Sequence, residues 1–367
     1  MIDEGLKYKI GITLMDGVGD VIAKRLIAYC GSAEGVFKEK KSRLMKIPGV
    51  GAINVKPILE NNVLPRAEEE MDFISKNGIN TFFYLDKEYP KRLKHCEDSP
   101  VMLYSKGNLN LNNHKILSVV GTRNATVYGQ RVCEKIIEDL ALQNVLIVSG
   151  LAYGIDICAH RAALKNNLPT VGVVAHGLDR IYPSVHQGVS QKMMLNGGIV
   201  TDFISGTNPD KENFPKRNRI VAGMADAVLV IESALSGGSL ITADIANGYN
   251  RDVFAVPGKT GDEYSSGCNW LIKTNRAMLV ESAKDIEQVL GWEIKEKKKK
   301  NVQKELFTEL DENEKIIVGI LEAKEKIDID NLSVEAKMPM SKISSLLLNL
   351  EFKGMVKSLP GKVYMMN

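Results

Sequence analysis

A chain of 367 residues, 44% hydrophobic and 25% charged, is long enough for two or three domains with real cores and ordinary enough in composition to be globular. Its 48 Lys and Arg against 45 Asp and Glu leave a net charge of +3, which excludes a global field for polyanions and leaves local cationic clusters as the route to nucleic acid. The cysteines at 30, 96, 133, 158 and 268 form no C-x-x-C pair, no signal-peptide core follows Met1, and no apolar run approaches the ~20 residues of a membrane span; zinc, a disulfide scaffold and a membrane span are not expected, and a reduced, cytoplasmic setting is.

Residues 1–64 carry two related patterns. Met15-Asp16-Gly17-Val18-Gly19-Asp20 leads into Val21–Ile27, and Ile47-Pro48-Gly49-Val50-Gly51 leads into Ala52–Val55. A hydrophobic-Gly-hydrophobic-Gly turn that opens a helix is the helix-hairpin-helix pattern, in which backbone amides can approach a DNA phosphate. A small helical bundle with glycine turns and no ligand fits the same pattern. Arg66–Lys76 then reads as a helix, and Asn80–Leu85 and Val101–Tyr104 as short strands, a connector packed onto the next domain.

From Lys115 onward, apolar strands alternate with helices. Strands are predicted at Ile116–Val120, Val145–Val148, Thr170–Val174, Gly198–Thr201, Ala227–Ile231, Asp252–Val256 and Ala277–Val280, with helices from about Tyr128 and over Ile155–Lys165. Near-continuous apolar strands mean a parallel sheet covered on both faces. The expected fold class is therefore α/β, a Rossmann-like doubly wound parallel sheet spanning 65–292, whose ligands belong at the carboxyl ends of the strands.

Residues 293–304 form a charged linker; Lys295–Lys304 holds six Lys and one Glu. Residues 305–367 read as a winged helix: Glu312–Ala323, a short helix from Ile329, a helix over Met340–Lys353 with Ile343, Leu346, Leu347 and Leu350 on one face, and a hairpin around Leu359-Pro360-Gly361. The third helix offers only Lys342 and Lys353 as cations, so the module suits a protein partner as well as DNA.

Catalytic and cofactor readings fail on specific residues. The first strand turn, Gly121-Thr122-Arg123-Asn124, lacks G-x-G-x-x-G, and Ser149-Gly150 stands where a dinucleotide fold needs an acid. Gly258-Lys259-Thr260 ends like a P-loop, but Val253 occupies the first glycine position. There is no G-x-S-x-G. Asp156 and His160 share a helix face, spaced either for a metal or for hydrogen bonds that seat the helix. His176 either meets a phosphate or caps its turn. No cofactor, no metal and no catalytic residue are expected.

What remains is a set of anion-binding elements. Gly121, Thr122 and Arg123 follow the first strand and Gly150 the second. Phe214-Pro215-Lys216-Arg217-Asn218-Arg219 supplies three cations ahead of a buried strand, and Gly237, Gly238 and Ser239 open the helix after it. Several separate turns suit an extended polyphosphate better than one phosphate. Phe214 can stack on a base or pack in the core.

These motifs resemble the DNA processing protein family, DprA/Smf. The matching runs are Val120–Arg123 with Tyr128-Gly129, Ser149–Ala152 with Gly154-Ile155-Asp156 and Ala159-His160, Gly177-Leu178-Asp179, Tyr182-Pro183, Phe214–Gly223, Ser236–Ala243, Arg251–Gly258 and Gly267-Cys268-Asn269. The ends resemble members with an N-terminal SAM-like domain and a C-terminal winged helix. The resemblance implies a non-enzymatic homodimer that binds and protects single-stranded DNA and loads the RecA recombinase in natural transformation, with single-strand-binding protein as a further partner. Arg123 matches the family's strand-turn arginine and Lys216–Arg219 its basic loop. Ser236–Asp244 also faintly resembles the P-G-G-x-G-T-x-x-E turn of lysine-decarboxylase-like (LOG) nucleotide hydrolases, with Asp244 in place of the catalytic Glu; a nucleotide phosphoribohydrolase is the alternative reading.

Overall fold

The stretch Ile116–Val120 is buried at every position, and its side chains alternate between two cores: Leu117 and Val119 on one side, Ile116 and Val120 on the other. That alternation places it at the centre of a sheet. A computed structural model describes residues 4–60, 62–292, 310–324, 326–359 and 361–366. The described chain forms two compact units, one ending at Trp292 and one beginning at Leu310. The expected linker at 293–304 lies outside the described residues.

The first unit opens with helices α1 (Glu4–Thr13), α2 (Asp20–Cys30), α3 (Ala33–Lys38), α4 (Lys41–Leu44), α5 (Ala52–Glu60) and α6 (Leu64–Asn77). Next come β1 (Asn80–Phe83), α7 (Lys91–Lys94), β2 (Met102–Asn108), β3 (Ile116–Val120), α8 (Val127–Asp139), β4 (Leu146–Ser149), α9 (Ile155–Lys165), β5 (Thr170–Val173), α10 (Gln187–Met193) and β6 (Gly197–Thr201). The unit ends with α11 (Asn213–Met224), β7 (Ala227–Val230), α12 (Gly238–Gly248), β8 (Asp252–Ala255), α13 (Ser266–Lys273), β9 (Met278–Leu279) and α14 (Ala283–Leu290).

The sheet has nine strands in the order β1-β2-β6-β5-β4-β3-β7-β8-β9. From β6 to β9 all neighbours are parallel; β2 and β1 extend the β6 edge antiparallel. Winding runs outward from β3 in both directions, so the expected doubly wound sheet is present and its switch point lies between β3 and β7. Helices α8, α9 and α14 cover one face, and α11, α12 and α13 the other. Met102 and Tyr104 of β2 belong to the core of the N-terminal helices, together with Ile10, Leu26 and Ala67.

Arg219 of α11 adds an ionic tie between these parts. It donates to Asp20 at the start of α2 and to Asp202 after β6, each at 2.8 Å, and to the Asp98 carbonyl at 2.5 Å. Burial alone lowers a guanidinium's proton affinity; here Asp202 and Asp20 outweigh it and hold Arg219 firmly protonated.

The second unit is a winged helix: α15 (Glu312–Ala323), β10 (Ile327–Asp328), α16 (Ile329–Ala336), α17 (Met340–Phe352), β11 (Val356–Leu359) and β12 (Val363–Met366), with strand order β10-β12-β11. Ile343, Leu346, Leu347 and Leu350 are the buried face of α17, as their spacing predicts. Asp311 and Glu314 form a capping box at the start of α15. Among the described residues no helix is long and apolar enough to cross a membrane.

Candidate nucleic-acid interface

The carboxyl ends of β3, β4 and β7 open into a cleft of about 470 Å³. The turn after β3 is held from three sides. Thr122 donates its N–H to the Glu232 carbonyl at 2.8 Å, its own carbonyl accepts from Ile155 N–H at 3.2 Å, and its Oγ1 accepts from Asn124 N–H at 3.1 Å. Gly154, at φ +75, permits the second contact, because a Cβ there would overlap the Thr122 carbonyl and the Arg123 backbone. So fixed, Arg123 projects into solvent with its guanidinium 5.2 Å from the centre of the Phe214 ring. The Tyr182 ring is tilted against that of Phe214, with the centres 6.5 Å apart.

The opposite wall is α11. The sequence reading of Lys216–Arg219 as a basic loop is corrected: all four lie inside the helix, which Pro215 can join because a helix's first turn needs no N–H from it. Helical geometry then separates the cations. Phe214, Arg217, Asn218 and Val221 face the cleft; Lys216 is exposed outside its lining; Arg219 points toward Asp20 and Asp202. Arg217 is only 4% exposed, forms the cleft's floor, and donates to the Val173 carbonyl at 2.5 Å. Its guanidinium lies where a Cβ on Gly150 would be, which is why that position carries none. Asp156 sits nearby, accepting from Gly150 N–H at 3.1 Å and Ala152 N–H at 3.4 Å. Burial pushes the Asp156 carboxyl up and the Arg217 guanidinium down, and each partly offsets the other's shift.

The third wall is the start of α12. Gly237 caps it, Ser239 Oγ donates to Ser233 Oγ at 2.8 Å, and nothing lies near the α-carbon of Gly238. Gly237, Gly238 and Ser239 therefore bring the N-terminal end of an 11-residue helix, where backbone N–H groups lack intrahelical partners, to the cleft. Gly121, Thr122, Arg123, Gly150, Phe214, Arg217, Asn218, Gly237, Gly238 and Ser239 all line one cleft, and Lys216 and Arg219 do not.

Sequence reading missed Lys211, which lines the cleft three residues before Phe214, and the aromatic ledge beside it. A hollow of about 50 Å³ shares Arg123, Gly150 and Phe214 with the cleft and adds Tyr153 and Tyr182, both about half exposed. His176 fixes that ledge: its Nδ1 donates to the Gly177 carbonyl at 2.8 Å, and its Nε2 accepts from Tyr182 N–H at 3.2 Å. Both ring nitrogens are committed, so His176 holds its turn. His160 likewise seats α9 on the sheet, donating from Nδ1 to Thr170 Oγ1 at 2.7 Å while that hydroxyl donates to the Ile147 carbonyl. Among the described residues, Asp156 is the only carboxylate lining the cleft. Asp244, which stands where the hydrolase-like turn has its acid, is exposed outside the lining and paired with Arg276 at 2.9 Å.

The fold and the site therefore define a doubly wound α/β protein with a cationic, aromatic-walled cleft at its switch point, accompanied by a winged helix. Comparison with known proteins makes this specific. The chain belongs to the DNA recombination-mediator protein A family, whose model matches residues 80–291, and the model of the DprA winged helix domain matches residues 307–362. DNA processing protein DprA of Streptococcus pneumoniae is 41% identical over 206 residues, 56% of this chain and 72% of that one. The X-ray structure of the S. pneumoniae protein matches with a TM-score of 0.64 at 34% identity, over 78% of this chain and 98% of the other. A structure of DNA processing protein A from Helicobacter pylori, concerned with its single-stranded DNA binding mode, matches with a TM-score of 0.53 at 29% identity, over 58% and 95%.

Proposed function

We propose that this protein binds single-stranded DNA without sequence preference in the switch-point cleft, protects it, and passes it to the RecA recombinase in natural transformation and recombination. The observation that carries the reading is the assembly of Arg123, Phe214 and the α12 N-terminus around one cavity. A phosphate is served by the open amides of Gly238 and Ser239 and by Lys211 and Arg123; a base is served by the face of Phe214. The cleft acts by binding alone. Its Asp156 carboxylate accepts two backbone amides through one oxygen and lies beside the buried Arg217, which gives it a part in seating the turn after β4. The likeness to the H. pylori protein supports the ligand, and membership in a recombination-mediator family supports a role in recombination. The working form is a cytoplasmic homodimer, with single-strand-binding protein as a further partner.

The test is a fluorescence-anisotropy titration of labelled oligo-dT at several salt concentrations. Arg123→Ala should weaken binding and make the log–log salt slope shallower by about 0.7, the share of one phosphate on a single strand. Parent-like affinity and slope in Arg123→Ala would sink the assignment of the cleft.

A further inference from the structure

The second glycine hairpin of the helical domain plays no part in the cleft, and its surroundings differ sharply from those of its twin. The first hairpin also exposes Asp16, Gly17 and Gly19, but its turn is acidic. Asp20, which begins α2 there, accepts from Val101 N–H at 2.8 Å and from Arg219 at 2.8 Å, and Asp16 adds a second carboxylate at the same turn.

The second tip is open. Pro48, Gly49, Gly51 and Ala52 are exposed, and Ile53 is 81% exposed. A Cβ on Gly51 would meet nothing closer than Asn54 Oδ1 at 3.9 Å. The tip is also braced: Asn54 Nδ2 donates to the Gly17 carbonyl at 2.6 Å, and Arg25 donates to the Pro48 carbonyl at 2.9 Å. Residues 40–60 carry five Lys and Arg against one Glu, a net +4 that exceeds the +3 of the whole chain. Lys40, Lys41 and Lys46 are exposed and outside any ion pair among the described residues; one turn away, Arg43 pairs with the half-buried Glu39 and Lys56 with the exposed Glu60. A hollow of about 220 Å³ walled by Lys41, Lys56 and Leu59 lies beside them.

We propose that this braced cationic tip is a second nucleic-acid site and that its ligand is the phosphate backbone of duplex DNA. The choice of duplex rests on the composition of the patch. Residues 40–60 contain no Phe, Tyr or Trp, so no unstacked base finds a platform there, whereas a duplex seals its bases and presents phosphates alone. A cleft for one strand and a tip for a duplex would let one protein hold an incoming strand beside double-stranded DNA. The proposal shares the nucleic-acid reading of the family, but it is read out on a different ligand.

The experiment uses the full chain and a labelled duplex of about 30 bp, titrated from roughly 50 to 200 mM salt, with oligo-dT in parallel. In Lys41→Glu with Lys46→Glu, both on the surface, duplex affinity should fall at least about tenfold at the lowest salt, and the slope should become shallower by about two. Oligo-dT affinity and the melting temperature should stay as in the parent. The proposal is overturned if the parent binds no duplex at low salt or if the variant keeps the parent's duplex affinity. Equal losses on both ligands also overturn it, since they would place the patch on the single-strand path. Loss of oligo-dT binding by the parent would count against the cleft instead, and the duplex titration would still stand.

Discussion

Replacing Phe214 with Ala separates stacking from charge in a way few other substitutions here can. The ring is half-buried, flanked by the Arg123 guanidinium at 5.2 Å and the Tyr182 ring at 6.5 Å. A base stacked on an aromatic side chain contributes about 1–3 kcal/mol. The Arg123–Phe214 contact exists before any strand arrives, so it does not add to the binding difference; it only holds the ring in place. The expected loss is therefore the stack alone, roughly 5- to 150-fold in affinity for oligo-dT. No charge is removed, so the number of released counterions, and with it the salt slope, stays the same. Phe214→Tyr should restore most of the affinity. Anisotropy titrations at several salt concentrations measure both quantities. An unchanged affinity would mean that the ring is only packing; a slope that falls with the affinity would mean that Ala has disordered Arg123 and that the two effects are one.

Arg219 and Lys216 should part company. Arg219→Ala leaves Asp20 and Asp202 facing one another without their cation and should destabilise the first unit by about 3–5 kcal/mol, seen in thermal melts; Lys216→Ala, on the exposed face of α11, should leave the melt unchanged. Stability should fall in mild acid through His160. Burial holds its pKa at about 3, against an ordinary 6.5, and His186 and Arg217 add to the effect. A depressed imidazole is neutral in the fold and protonated in the unfolded chain, so stability is complete above pH 6.5 and declines from there toward about 3. The loss at about pH 5 is on the order of 2 kcal/mol, and His160→Gln should flatten the dependence of the melting temperature over that range. Ending the chain at Glu309, which keeps the Lys-rich 293–304 stretch, should leave oligo-dT affinity within about twofold, because Lys342 of α17 and Lys353 just after it are already engaged: Lys353 with Glu314 at 2.7 Å and Lys342 with Asn313 at 2.9 Å.

The parallel sheet was legible because its strands are apolar on both faces, and the core stripe of α17 because four residues repeat at helical spacing. The turns at Arg123, Gly150 and Gly237 were legible because glycine next to a strand end marks where backbone must stay open. The basic run was misread for a physical reason. As a loop, Lys216, Arg217 and Arg219 count as one cluster. On a helix each step turns the side chain by about 100°, which sends Arg217 beneath the cleft and Arg219 to the helical domain. Lys211 was missed by the same error, since only the turn leading into α11 brings it beside Phe214. Helices α10, α13 and α14, of seven or eight residues, are too short to show a clear period in sequence.

Helix α11 is anchored along its length: Arg217 on the Val173 carbonyl, Arg219 on Asp20 and Asp202, and Val221, through its carbonyl, on the Ser118 hydroxyl. A wall fastened at three points does not wait for a strand to shape it. The ordering entropy of binding then falls almost wholly on the DNA, and stiff or already extended strands lose less of it than collapsed ones. A strand bound in the cleft as proposed would thereby be favoured by the straightness of its backbone, a selectivity that needs no contact with base edges.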